Sequence, residues 1–226
     1  MRPGVKNILR VLDKAGDIEI NEGRVAYFNY RAVCSGLGEY YGYPLPLTIA
    51  VFAALSPNCD YYNNLRSAAT VLNAHRIGLP RSKVKVASYN HCRDRAFTYL
   101  DGVSFLDTVK GKKIRSFYKN ILNPIDPLPV TIDGHALNIW RNERRGLKDS
   151  LIKPRLYDEI AEDYREVSRK VGLIANQVQC ITWLAWKWKH NIIASKRQLE
   201  FFQDRRDDLW KTLYLPEDIK TYNLLS

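Results

Sequence analysis

Along most of the chain, apolar positions recur three and four residues apart, the period of one helix face. No segment shows the strict alternation of a half-buried strand, so the pattern predicts an all-α protein. The clearest case begins at Tyr157, with apolar residues at 157, 160, 164, 167 and 171. Pro154 suits its first turn and Gly172 its end. Residues 45–55 are apolar all round, as in a buried helix, and Pro57 closes them. Asp60 stands where it can cap the next helix, whose inner face is Leu65, Ala68, Ala69 and Leu72. Further helices are predicted over roughly 4–14, 22–36, 89–100, 113–122, 134–142, 176–200 and 204–212. The proline-rich stretch 123–129 must be extended, because residues before proline avoid the helical region.

The helix predicted from Asn176 carries two stripes. Val178, Ile181, Ala185, Trp188 and Ile192 make a core face, while Gln179, Trp183, Trp186 and His190 repeat beside it. The second stripe mixes flat aromatics with hydrogen-bonding groups, which suits a planar ligand; tryptophan on a helix is also commonly core.

Composition narrows the partners. Thirty-five Lys and Arg against twenty-four Asp and Glu give a net charge of +11, which points to a polyanion such as nucleic acid. An anionic membrane is the competing reading, but 45–55 is the longest apolar run and is shorter than the ~20 residues that span a bilayer. Met1-Arg-Pro-Gly-Val-Lys6 is not followed by a secretory signal pattern, so a cytoplasmic location is expected. With 226 residues, one domain of two lobes is expected. Cys34, Cys59, Cys92 and Cys180 lack metal-ligand clustering and are read as reduced core thiols, and no metal or organic cofactor is implied.

The densest chemical signal lies in Leu106-Asp-Thr-Val-Lys-Gly111 and the following Lys-Lys-Ile-Arg115, then in Thr131-Ile-Asp-Gly-His135. Ser104 can cap a short helix through Lys110, Gly111 can supply a positive-φ turn, and Ile114, Phe117, Tyr118 and Ile121 give the second helix its apolar face. The N–H groups at that second start, with Lys110, Lys112, Lys113 and Arg115 around them, make a phosphate seat; a solvated basic turn is the plain alternative. Asp133 heads the next helix as an N-cap bonded to the N–H of His135 or Ala136. A fixed anion there can also stabilise the positive charge that builds on a sugar during glycosidic cleavage. Asp133 and His135 together make at most half a metal site.

This order of hairpin, extended connector and aspartate resembles the helix-hairpin-helix DNA glycosylase superfamily. The chain keeps the last hairpin glycine as Gly111 and the aspartate as Asp133, but lacks the usual hairpin proline and first glycine, and Thr131-Ile-Asp-Gly-His135 replaces the commoner run. Ala54-Leu-Ser-Pro-Asn58 with Asn64, and Gln177 to Trp186, look like poorly characterised bacterial and phage proteins of the same layout.

The resemblance implies lobe A at 1–43 plus 130–226 and lobe B at 44–129, with the hairpin at about 104–122. Duplex DNA would lie across a cleft, with no membrane and no obligatory protein partner, and a base would be flipped into a pocket to leave an abasic site. Asp133 would do the chemistry, and Gln179, Trp183, Trp186 and His135 would line the pocket. Gly111, Lys110, Lys112, Arg115, Asn58, Tyr61 and Asn64 would contact DNA, with one of Tyr61 and Tyr62 in the core. Lys113 occupies the place of the Schiff-base lysine of bifunctional members, so a lyase step through it is the alternative to a phosphate contact; it needs an amine of lowered pKa. The superfamily's four-cysteine iron-sulfur cluster is not expected, because only Cys180 lies near its place. The excised base is damaged or modified, and modified phage DNA would make this an antiviral enzyme. Other readings are a non-catalytic DNA-binding protein and a structure-specific nuclease. The nuclease would need Asp158, Glu159, Glu162 and Asp163, which read as a solvated face.

Overall fold

The computed structural model describes residues 1–146, 152–190 and 192. The described residues form ten α-helices and one 3₁₀ turn with no strand, so the protein is all-α. The helices are α1 (Pro3–Leu12), α2 (Asp17–Tyr41), α3 (Leu45–Leu55), α4 (Tyr61–Arg76) and α5 (Asn90–Leu100), then α6 (Phe105–Thr108), α7 (Lys112–Leu122), α8 (Gly134–Arg141), α9 (Pro154–Val171) and α10 (Ala175–Lys189). The helix predicted over 204–212 lies outside the described residues, as does most of the predicted 176–200 helix beyond Lys189. None of the described helices is long and apolar enough to cross a membrane.

The chain divides into two compact units, one of residues 1–29 with the described residues from 111 onward, the other of 30–110. The division falls within α2 and within the hairpin, so α7 groups with α8, α9 and α10.

In the first unit, α1 packs on α8, α9 and α10 around a core that includes Ile8, Ile139, Ile160, Tyr164 and Val178. Gly4 lets α1 approach Trp140 and Asp163 more closely than a Cβ would allow. Trp140 Nε1 donates to Asp163 Oδ2 at 2.7 Å, and Arg2 pairs with Oδ1 at 2.9 Å. Burial pushes the Asp163 carboxyl above its usual range, against the lowering effects of Trp140 and Arg2. The acidic group expected to be a solvated face is therefore split. Asp163 is 1% exposed because it sits three residues after Ile160 and four before Val167, on the helix's inner stripe. Gly172, at φ 69°, ends α9 in the left-handed cap anticipated for it.

The core face expected on α10 needs correction. Trp188 is 54% exposed, whereas Trp186, assigned to a base pocket, is 2% exposed within the hydrophobic core. The cause is that α10 is enclosed on most sides, by α1, α8 and α9 and by a close approach of α2. A Cβ on Gly23 of α2 would lie 2.6 Å from the backbone nitrogen of Ile181.

In the second unit, α3 is buried from Thr48 to Leu55 and packs on α4 and α5. Asp60 caps α4, its Oδ1 accepting from the Asn63 N–H at 3.0 Å. Two residues expected to face DNA here are structural instead. Asn64, 3% exposed, donates from Nδ2 to the Phe52 carbonyl at 3.2 Å and ties α4 to the end of α3. Tyr61, 7% exposed, packs its ring on Tyr30 and Phe52, so it is the core member of the tyrosine pair and Tyr62 is the less buried one. Asn58 is exposed at φ 52°, a left-handed conformation that asparagine tolerates.

Candidate catalytic site around Asp133

Asp133 is positioned by the segment that precedes it. The connector, expected to be extended over 123–129, instead turns at Pro124–Ile125, where the Asp126 N–H donates to the Asn123 carbonyl at 3.1 Å, and Tyr157 of α9 grips its end: the Tyr157 hydroxyl donates to the Val130 carbonyl at 2.7 Å and accepts from the Ile132 N–H at 3.1 Å. The sequence pattern had marked Tyr157 only as an apolar position of α9. One turn further in lies a buried polar chain. Asn120 Nδ2 donates to Thr131 Oγ1 at 3.0 Å, the Tyr27 hydroxyl donates to the same oxygen at 2.8 Å, and it also lies 3.4 Å from Gln179 Oε1. Helices α2, α7 and α10 are thereby joined to the segment carrying the aspartate. Tyr27 could not have been found from spacing, since it lies 104 residues from Thr131.

Asp133 is the N-cap of α8, with Oδ1 accepting from the Ala136 N–H at 2.8 Å. Its other oxygen, Oδ2, accepts from Trp183 Nε1 at 3.1 Å. Each oxygen thus holds one directional donor, and the half-buried carboxylate retains lone pairs for a water or a ligand. The Trp183 ring is fixed in turn: the Lys187 ammonium lies 3.9 Å from its centroid, and His135 meets it edge-on at 6.1 Å and 87°. Lys187 is four residues after Trp183 on α10, a spacing that puts the two side chains on one face and could have disclosed the pair. With its edge bonded to Asp133 and one face under Lys187, Trp183 orients the carboxylate more than it offers an open stacking surface.

His135 is buried, and its Nδ1 has no hydrogen-bond partner among the described residues. Burial pushes the imidazole below its ordinary value; the Asp133 charge opposes this, while Lys187 and Lys113 add to it. The same aspartate contributes, after burial, to raising the Cys180 thiol and the Tyr164 hydroxyl. Asp133, His135, Trp183, Lys187 and Lys113 therefore share one electrostatic neighbourhood. Gln179 is also close, but it is 5% exposed and its carbonyl is engaged by Tyr27.

The hairpin differs from expectation in detail. Its first helix, α6, has only four residues, and Ser104 at its N-cap makes no side-chain capping bond. Gly111 has φ −72° rather than a positive value, serves as the N-cap of α7, and has open space where a Cβ would be. The turn needs no left-handed residue because Val109 and Gly111 are both extended. Lys110 and Lys113 are exposed, and Arg115 is half-buried. Lys112 turns to α9 and holds both oxygens of Asp158, at 2.5 and 2.6 Å.

No curated protein and no solved structure matches this chain. Residues 1–190 match DUF7178, described as a family of unknown function, and the chain belongs to that family.

Proposed function

We propose that the protein is a DNA N-glycosylase that uses Asp133 and water to hydrolyse the glycosidic bond of a flipped, damaged or modified nucleotide. The observation that carries this reading is the clamped carboxylate, with Oδ1 on the Ala136 N–H and Oδ2 on Trp183 Nε1. An acyl or phosphoryl transfer site would call for a nucleophile with an adjacent base, or for metal ligands. A pre-oriented anion at a helix start suits a reaction whose transition state is an oxocarbenium-like sugar. Asp133 supports that charge and directs a water at the anomeric carbon. The proton given up by the water leaves by way of the carboxylate, and the base departs as a free heterocycle. Lys113 and Lys110, exposed around the α7 start, provide contacts for the phosphates of the same strand. The helix-hairpin-helix glycosylase architecture and a substrate in modified phage DNA belong to the same proposal.

The test is release of free base, read by mass spectrometry, from DNAs containing oxidised, alkylated, deaminated and phage-modified bases. Asp133→Asn keeps an acceptor for the α8 cap, and its expected effect is a loss of release of about 10²- to 10⁴-fold with DNA affinity retained. No release from any DNA by wild type, with tight binding, would instead mark a binding protein. Borohydride trapping of a protein–DNA adduct lost in Lys113→Ala would replace the water route by a Schiff base.

A further inference from the structure

A cleft of about 300 Å³ opens between α7 and α9, on the side of α7 that carries Lys112, Arg115, Ser116 and Lys119. Across it, α9 contributes Asp158 and Arg165, and the connector supplies Asp126 and an apolar wall at Leu128, Pro129 and Val130. Lys112, Arg115, Lys119 and Arg165 outnumber the lining carboxylates Asp126 and Asp158, and Glu162, which bonds Arg165, is shared with Arg169. The Arg165 guanidinium is anchored without closing the cleft: Nη1 donates to the Leu128 carbonyl and Nε to Glu162 Oε2, both at 2.9 Å. Lys112 is neutralised by Asp158, but that pair is exposed, with side chains 41% and 64% accessible, and an entering anion can exchange for it. Leu128, 68% exposed, places an apolar surface beside the cations.

We infer that this cleft is a second binding site, for a nucleotide-sized ligand ending in a phosphate monoester. A monoester carries about −1.5 to −2 charges near neutral pH and so is drawn to this cationic lining more strongly than an internal phosphodiester, which carries only one. The apolar wall accepts the sugar or base attached to it. Two sources share this chemistry, a free nucleoside monophosphate and the phosphorylated end of a broken DNA strand. The site is distinct from the Asp133 carboxylate, and the inference does not depend on the glycosylase reading.

Binding of deoxyadenosine 5′-monophosphate is measured by titration calorimetry, and binding of a short single strand with and without a 5′-phosphate by fluorescence anisotropy. The variants are Lys119→Glu, Lys119→Arg as the conservative rescue, and Lys83→Glu as an equal charge change on the exposed 3₁₀ turn of the other unit. Lys119 is exposed on α7, so its reversal leaves the core intact, which a circular dichroism melt checks. The expected result is at least a tenfold weakening in Lys119→Glu, recovery in Lys119→Arg and near wild-type affinity in Lys83→Glu. Binding of the mononucleotide identifies a free ligand; a preference for the phosphorylated strand without mononucleotide binding identifies a strand end. Equal affinity for phosphorylated and unphosphorylated strands with no mononucleotide binding overturns the inference, as does equal weakening by Lys119→Glu and Lys83→Glu.

Discussion

On the proposed reaction, Trp183 allows a catalytic contribution to be separated from packing. Its Nε1 is a hydrogen-bond donor to Asp133, while its ring carries Lys187 and meets His135. Trp183→Phe removes the donor and keeps most of the aromatic surface. Hydrogen bonds to charged groups are stronger than neutral ones, so base release should fall about 10- to 100-fold with little change in melting temperature. An unchanged rate would show that the bond does not set the carboxylate's geometry. His135 gives a second expectation, in stability. Its buried imidazole titrates below 6.5, the ordinary value that applies once the chain unfolds. Between the two values the unfolded chain binds more protons, so stability is present above pH 6.5 and is lost as pH falls below it. Over that window the wild type should lose up to about 1.4 kcal/mol per pH unit more than His135→Gln, as measured by urea unfolding at successive pH values. Parallel curves for the two proteins would count against a buried neutral histidine.

The helix pair α2 and α10 is set by Gly23, whose missing Cβ leaves room for the Ile181 backbone. Backbone cannot yield as a side-chain tip can, so Gly23→Ala must separate the helices. The expected cost is about 1–3 kcal/mol in urea unfolding, with weaker base release because Tyr27 on α2 loses its register with Thr131 and Gln179. A neutral outcome would mean that α2 can slide without disturbing the site. Much of what lies at this scale was legible in the sequence. Asp60, Pro154, Gly172 and Asp133 mark helix ends through local backbone chemistry, which a sequence displays directly. What a helix buries depends on how many neighbours surround it, and that is not local. Trp186 and Trp188 exchanged their expected environments for this reason, and Asn64 and Tyr61 proved to be inward-facing. Within the site, Asp133 was found from its place after the hairpin and connector. Tyr27 and Tyr157 were not, because their importance comes from contacts made across long stretches of chain; Lys187 was legible only from its four-residue spacing to Trp183, not from the hairpin pattern.

A net charge of +11 supports the proposed nucleic-acid partner but does not say which surface would meet it. Phosphate contacts release counterions, so the logarithm of DNA affinity should fall linearly with the logarithm of salt, with a slope of about −0.9 for each phosphate neutralised on duplex DNA. Removing one lysine that touches a phosphate flattens that slope by about one, whereas removing a lysine elsewhere only shifts the mean field. Lys110→Ala and Lys113→Ala, exposed on either side of the α7 start, should each flatten it; Lys83→Ala should leave it as it is. Asp133→Asn belongs in the same series, because it removes a negative charge beside the expected path of the strand. It should tighten binding slightly without steepening the slope, since it adds no contact of its own. If affinity falls steeply with salt but neither Lys110→Ala nor Lys113→Ala alters the slope, DNA lies on a different face. The clamped carboxylate would then be a well-built helix cap with no sugar to act on.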